Sequence, residues 1–147
     1  MALWQFSFFL VPASWANAQS GDLWRFCGDD GWDLGNVWAD EDTNDILDGL
    51  DDIFPKAKPW SEDMMIWRSE HHDSDIQAFT EAGSLYELCI RLDMRANVQK
   101  SIEEIVNFAR GYDLKFFILH NAQICPPRAE NLMEHALTSK AARTYIG

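Results

Sequence analysis

The sequence predicts an α+β fold: one domain over residues 1–147, with a mostly antiparallel sheet of about five strands and about three helices packed on it. Two observations carry this. Stretches with a period of two and stretches with apolar residues at i, i+3 and i+4 follow one another in the order β-(irregular)-α-β-β-β-α-β-α, so consecutive strands can pair as neighbours. Hydrophobic residues make up 47% of 147, enough to fill one core without metals or disulfides. No internal repeat or low-complexity linker divides the chain.

The first strand is predicted over residues 3–11. Trp4, Phe6, Phe8 and Leu10 fall on one face, Gln5 and Ser7 on the other before Phe9 and Val11, and Pro12 ends it. Residues 12–39 show no clean period. They read as an ordered, irregular segment with a short helical turn near Leu23–Cys27, because a disordered segment seldom carries tryptophans such as Trp15, Trp24, Trp32 and Trp38. An acidic amphipathic helix is expected over residues 43–54, with Asp42 or Thr43 as its cap, Ile46, Leu47, Leu50, Ile53 and Phe54 as its apolar stripe, and Pro55 as its stop. Residues 56–59 read as a loop.

Residues 64–68 make a short strand, and residues 69–74 a polar turn. Residues 75–81 and 85–95 form a hairpin around Ala82-Gly83-Ser84. In its second strand Tyr86, Leu88, Ile90, Leu92 and Met94 alternate with Glu87, Cys89, Arg91, Asp93 and Arg95. A second helix is expected over residues 98–110, capped by Asn97 and buried along Val98, Ile102, Ile105, Val106 and Ala109, with Gly111 as its stop. Leu114 to Leu119 has almost no polar atoms and suits an interior strand. Pro126 and Pro127 open a third helix with Leu132, Met133, Ala136 and Leu137 inward.

Charge is unevenly placed. The chain carries 24 acids against 12 bases. Residues 22–75 hold sixteen of those acids with only Arg25, Lys56, Lys58 and Arg68, residues 76–147 are balanced at eight of each, and residues 1–21 carry no charged side chain. Phosphates would be repelled, so nucleic acid and anionic membranes are disfavoured and a cationic partner is favoured.

Three widely spaced cysteines, Cys27, Cys89 and Cys125, without a CxxC, point to free thiols and a reducing compartment. The expected location is the cytoplasm. Residues 6–11 are apolar and Ala16-Asn17-Ala18 is a small-residue site, so a periplasmic location would follow if residues 1–18 were a cleaved signal peptide. The missing basic residue before the run and the interruptions by Gln5 and Ser7 oppose that.

Phosphate-binding loops, HExxH and Gly-x-Ser-x-Gly elbows are absent from the sequence. Asp40, Asp42, Asn44 and Asp48 fall at calcium-loop positions. However, Asp45 stands where the sharp turn needs Gly and Asp51 where a bidentate Glu is needed. His71 and His72 with Asp73 and Glu70 read as an exposed turn, and Cys125, His120 and His135 fit no zinc spacing. No metal and no cofactor are expected. Glu87, Arg91, Asp93 and Arg95 are expected to form a solvated strand face with cross-strand pairs. A small enzyme using Glu87, Arg91 and Asp93 for acid–base work is the alternative.

All seven tryptophans lie in residues 1–67, and the acidic block overlaps five of them. Tryptophan is enriched at binding hot spots, and charge complementarity speeds association. The expected partner-binding set is therefore Asp29, Asp30, Trp32, Asp33, Trp38, Asp40, Asp42, Asp45, Asp48 and Asp52. Trp24 is a candidate anchor beside them, whereas Trp4 and Trp67 fit strand patterns and are expected in the core.

The opening Trp4-Gln5-Phe6-Ser7-Phe8-Phe9-Leu10-Val11-Pro12, the strand Ile90-Arg91-Leu92-Asp93-Met94-Arg95 and the ending Ser139-Lys140-Ala141-Ala142 resemble small bacterial proteins, some of them similar to immunity proteins encoded beside secreted toxins. These pieces cover under a fifth of the chain. The resemblance implies a small, acidic, non-enzymatic single domain and supplies no catalytic or binding residues. The expected function is an immunity-type inhibitor that occludes a cationic toxin domain such as a nuclease. A phosphate mimic that blocks a nucleic-acid-binding protein is the alternative from the same charge pattern.

Overall fold

The alternating residues at the start of the chain form β1 (Gln5–Pro12), and all eight of its residues are buried, because both faces of the strand are covered. The computed structural model describes residues 2–145. It shows one α+β domain with a seven-stranded, fully antiparallel sheet in the order β4-β5-β6-β7-β1-β8-β9 and a separate two-stranded hairpin, β2-β3. The remaining strands are β2 (Cys27–Gly28), β3 (Gly31–Trp32), β4 (Lys56–Ala57), β5 (Met64–Arg68), β6 (Asp75–Glu81), β7 (Ser84–Asp93), β8 (Leu114–Ile118) and β9 (Gln123–Cys125). The helices are α1 (Ala13–Asn17), α2 (Asn44–Gly49), α3 (Gln99–Gly111), α4 (Ala129–Leu137) and α5 (Lys140–Tyr145).

The large sheet therefore has seven strands rather than about five, and there are five helices rather than about three. The additions β4, β9, α1 and α5 span two to six residues, too short for a period to declare itself. The irregular segment holds α1, a 3-10 turn at Leu23–Phe26 and the β2-β3 hairpin.

The two faces of the sheet are covered differently. On one face Phe6, Phe8, Leu10, Ile90, Leu92 and Phe116 meet α2 to α5 through Ile46, Ile102, Leu132 and Ala142. On the other, Phe9, Val11, Cys89 and Phe117 are covered by α1 and by the loop residues Phe26, Trp32, Leu34 and Val37.

Helix α2 stops earlier than its stripe predicts and continues as a 3-10 turn, Leu50–Asp52. It crosses close to α3. A Cβ on Gly49 would lie 2.9 Å from the Phe108 ring and 3.0 Å from the Tyr112 hydroxyl, so any larger residue there would have to displace one or both rings. The β6-β7 turn is the two residues Ala82 and Gly83, both with positive φ (52° and 81°), as a type I′ turn requires. A bulge then shifts the register. Phe79 pairs with Glu87 but Thr80 with Leu85, which puts Leu85 in the core and turns Tyr86 out of it. Helix α4 begins after both prolines, and Leu137 at its end is 49% exposed rather than inward.

Candidate acidic and aromatic binding site

The β2-β3 hairpin carries Asp29 and Asp30 at its exposed tip. Trp32 follows and packs edge-on against Phe117 of β8, with ring centroids 5.3 Å apart, while Trp24 lies against Trp32 at 5.5 Å. Trp24 is 49% exposed. An aromatic column thus runs from the sheet out to solvent, with its base fixed by Phe117 and with Trp15 and Phe26 beside it.

Asp33 accepts hydrogen bonds from the Tyr86 hydroxyl and from the Gly35 N–H, at 2.8 Å for the latter. These bonds, the tyrosine's above all, hold the Asp33 carboxyl below the usual range, and Asp33 in turn raises the Tyr86 phenol to about 12. At neutral pH the pair is a carboxylate held by a neutral phenol. Arg25, Asp29, Asp30, Trp32, Asp33 and Tyr86 line a cleft of about 510 Å³. Arg25 is exposed but held locally: its guanidinium donates to the carbonyls of Ser20 and Asp22, both at 2.9 Å, and to the Gln19 side chain at 3.0 Å, and covers the Phe26 ring at 4.5 Å.

The predicted binding residues do not converge on one place. Asp29, Asp30, Trp32 and Asp33 gather at this cleft. Asp45, Asp48 and Asp52 are exposed on α2 and the turn after it, whose buried residues Ile46 and Leu50 belong to the core on the opposite face. Asp40 and Asp42 are exposed in the connecting loop, where Asp42 accepts from the Asn44 N–H at 3.2 Å. Trp38 is a correction. It is only 2% exposed and packs into the helix-covered core, where the chain passes from the hairpin to α2, so its indole cannot reach a partner. Tyr86 and Arg25 are site residues that the sequence reading missed, because no sequence signal marks the bulge that turns Tyr86 outward.

The charged face of β7 corrects a second expectation. Asp75 and Asp93 are 3% exposed, Cys89 is 7% exposed, and Arg91 is partly covered, so this is not a solvated face. Arg91 binds Asp75 across the strands in a bidentate pair, with Nε to Oδ1 at 2.8 Å. Arg95 holds both oxygens of Asp93 (2.9 and 3.1 Å), and its guanidinium stacks over the Trp4 ring at 3.9 Å. Trp4 therefore sits at the end of the sheet rather than in the core, and its indole N–H donates to Asp73 at 2.8 Å. Burial raises the Asp93 pKa, but Arg95 and the N–H groups of Asp73 and Arg95 outweigh it and hold the carboxyl low.

Glu87 is the exception on this face. Burial, with the nearby Asp33 charge, lifts its pKa to about 7. The space beside it, among Phe9, Leu34, Trp38 and Leu88, is about 10 Å³, room for at most one water. A substrate cannot approach Glu87 there.

Among the described residues no group of three or more His, Cys, Asp or Glu side chains could hold a metal ion. Cys27, Cys89 and Cys125 are free thiols. Among the described residues no helix is long and apolar enough to cross a membrane. Compared with protein-family models, with curated proteins and with solved structures, the chain finds no match.

Proposed function

We propose that this protein is a non-enzymatic binding module for a cationic protein, an immunity-type inhibitor that occludes a basic toxin domain such as a nuclease. The observation that carries this reading is the cleft itself. Asp29, Asp30 and Asp33 ring a half-exposed tryptophan column whose base is locked against the sheet. Carboxylates attract a cationic surface over the Debye length, and a rigid indole gives it an apolar anchor at low entropic cost. The division of the acids between two sides of the sheet supports this reading over a phosphate mimic, which would need one extended row of carboxylates. The paired state of Arg91, Asp75, Asp93 and Arg95, with no room beside Glu87, gives the acid–base alternative little support.

The test is kinetic and uses cationic toxin nuclease domains as partners. The double variant Asp29→Asn/Asp30→Asn should lower the on-rate and flatten its fall between about 0.1 and 1 M salt, where the Debye length shrinks from roughly 10 to 3 Å. Neutralising Asp45, Asp48 and Asp52 together, on the other side of the sheet, should change the on-rate far less. An on-rate indifferent to salt and to both sets of substitutions would sink the proposal.

A further inference from the structure

Trp32 belongs to two clefts. Besides the acidic one, it borders a second of about 310 Å³, whose other walls include Leu3, Phe6, Leu119, His120 and Ala141. We infer that the two clefts, sharing Trp32, form one recognition surface for a basic–apolar segment of the partner: a bulky apolar side chain enters the second cleft while a neighbouring Lys or Arg meets Asp29 and Asp30. This rests on the cationic-partner reading and adds what that partner must present.

The second cleft suits an apolar occupant because two of its polar side chains, Ser139 and Gln5, already hold hydrogen bonds within the chain. Ser139 Oγ donates to the Ala136 carbonyl at 2.6 Å and accepts from the Ala142 N–H at 3.2 Å, closing the start of α5. Gln5 spends its amide on the Asp73 carbonyl at 2.8 Å and on the Ala2 N–H at 3.3 Å. The His120 ring lies edge-on to Phe6, with centroids 5.8 Å apart, and burial lowers its pKa, so the imidazole is neutral at pH 7. An apolar side chain entering here therefore leaves the Ser139 and Gln5 hydrogen bonds as they are and meets an uncharged His120 ring. Leu3 at the rim is 70% exposed, apolar area that a partner could remove from water.

Charge sets the direction in which the segment lies. Lys140 stands at the rim of the apolar cleft and would repel a cation there, whereas Asp29 and Asp30 attract one on the other side of Trp32. The apolar side chain thus goes to the Leu3 side and the basic one to the hairpin tip. Because Trp32 lines both clefts, a basic and an apolar side chain close together on one short extended segment, whose same-side residues are roughly 6.6 Å apart, can reach both.

The full chain can be tested with terminally blocked twelve-residue peptides that differ in one respect: Arg and Phe at two-residue spacing, the same with Phe replaced by Ser, the same with Arg replaced by Ser, and a version with Glu in place of Arg. Affinities are read by anisotropy at low and high salt. The basic–apolar peptide should bind at least about tenfold tighter than the basic-only one, the contribution of one modest hot spot. Leu3→Gln, at an exposed position, should remove that advantage without changing basic-only binding or the melting temperature. Asp29→Asn/Asp30→Asn should weaken both basic peptides.

Equal affinity for the basic-only and basic–apolar peptides, or no effect of Leu3→Gln, would overturn the two-cleft surface while leaving the cationic reading intact. So would an apolar-only or an acidic–apolar peptide that binds as tightly as the basic–apolar one, because the cleft would then be serving an unrelated apolar ligand. Absence of any salt-sensitive binding by a basic peptide would overturn both.

Discussion

The two faces of the central sheet are built by opposite means. One is covered by four helices whose apolar stripes fill a continuous core from Phe6 to Ala142. The other is covered on its β1 and β8 side by a mostly irregular segment pinned through aromatic contacts, Trp15, Phe26 and Trp32 against Phe117. On its β6 and β7 side it carries ion pairs whose carboxylates are buried and whose guanidiniums stay partly exposed. The first face is stabilised mainly by buried apolar area. The second combines aromatic wedges with charge, and its outermost residues form the candidate site.

If that division is right, the largest loss of stability comes from the helix-covered core. Phe116, fully buried and edge-on to Phe8 at 5.3 Å, should cost about 4 kcal/mol when replaced by Ala, measured by urea unfolding. A loss under about 1 kcal/mol would mean that this core can collapse around the cavity and is less tightly packed than its burial implies.

The charged half of the other face should come next. Asp75→Ala takes the bidentate carboxylate from the partly covered Arg91 guanidinium and should cost about 2 kcal/mol, whereas the double variant Asp75→Leu/Arg91→Met should recover most of it. If the single change proved harmless, Arg91 would have to escape to water, and this face would be the solvated one that its alternation suggests.

That contrast also explains how much could be read from the sequence. Helix α3 was legible because Val98, Ile102, Ile105, Val106 and Ala109 repeat over enough turns to define a stripe, and β1 because three phenylalanines and a leucine define both faces. The alternation of β7 was legible too, but not what covers its charged side: Asp75 and Ser74, which bury Arg91 and Asp93, come from β6 and the turn before it. Trp32 and Trp38, six residues apart in one acidic segment, end up partly buried at the site and almost fully buried in the core respectively. Only the tertiary path of the chain separates them. Tyr86 was misplaced by a single extra residue in a bulge.

A smaller effect, of opposite sign, is expected at Glu87. Its folded pKa of about 7 lies above the roughly 4.3 of an unfolded glutamate. Between these values the folded state binds more protons than the unfolded one, so stability falls as pH rises through that window. Glu87→Gln abolishes the penalty. The variant should match the wild type near pH 4 and exceed it by about 1 kcal/mol at pH 8, less than the whole shift would give because the carboxyl keeps some contact with water. A variant that is less stable at pH 8 would show that the ionised carboxylate has a partner.

The smallest effect on stability belongs to Trp24, and there the two roles of the loop-covered face separate. Its ring is half exposed, and its only ring–ring contact among the described residues is Trp32 at 5.5 Å. Trp24→Ala removes one aromatic pair at the surface and leaves the Trp32–Phe117 contact beneath it, so unfolding should cost under about 1 kcal/mol. Binding is a different matter. An indole at the centre of a desolvated interface is the kind of side chain whose truncation costs about 2 kcal/mol, a roughly thirtyfold faster dissociation, with little change in on-rate because no charge is altered. Paired with Asp29→Asn/Asp30→Asn, which should act on association, it makes a two-part test. Were Trp24→Ala to lower stability by several kcal/mol instead, the aromatic column would be holding the loop to the sheet, and the anchor for a partner would have to be sought at Leu3.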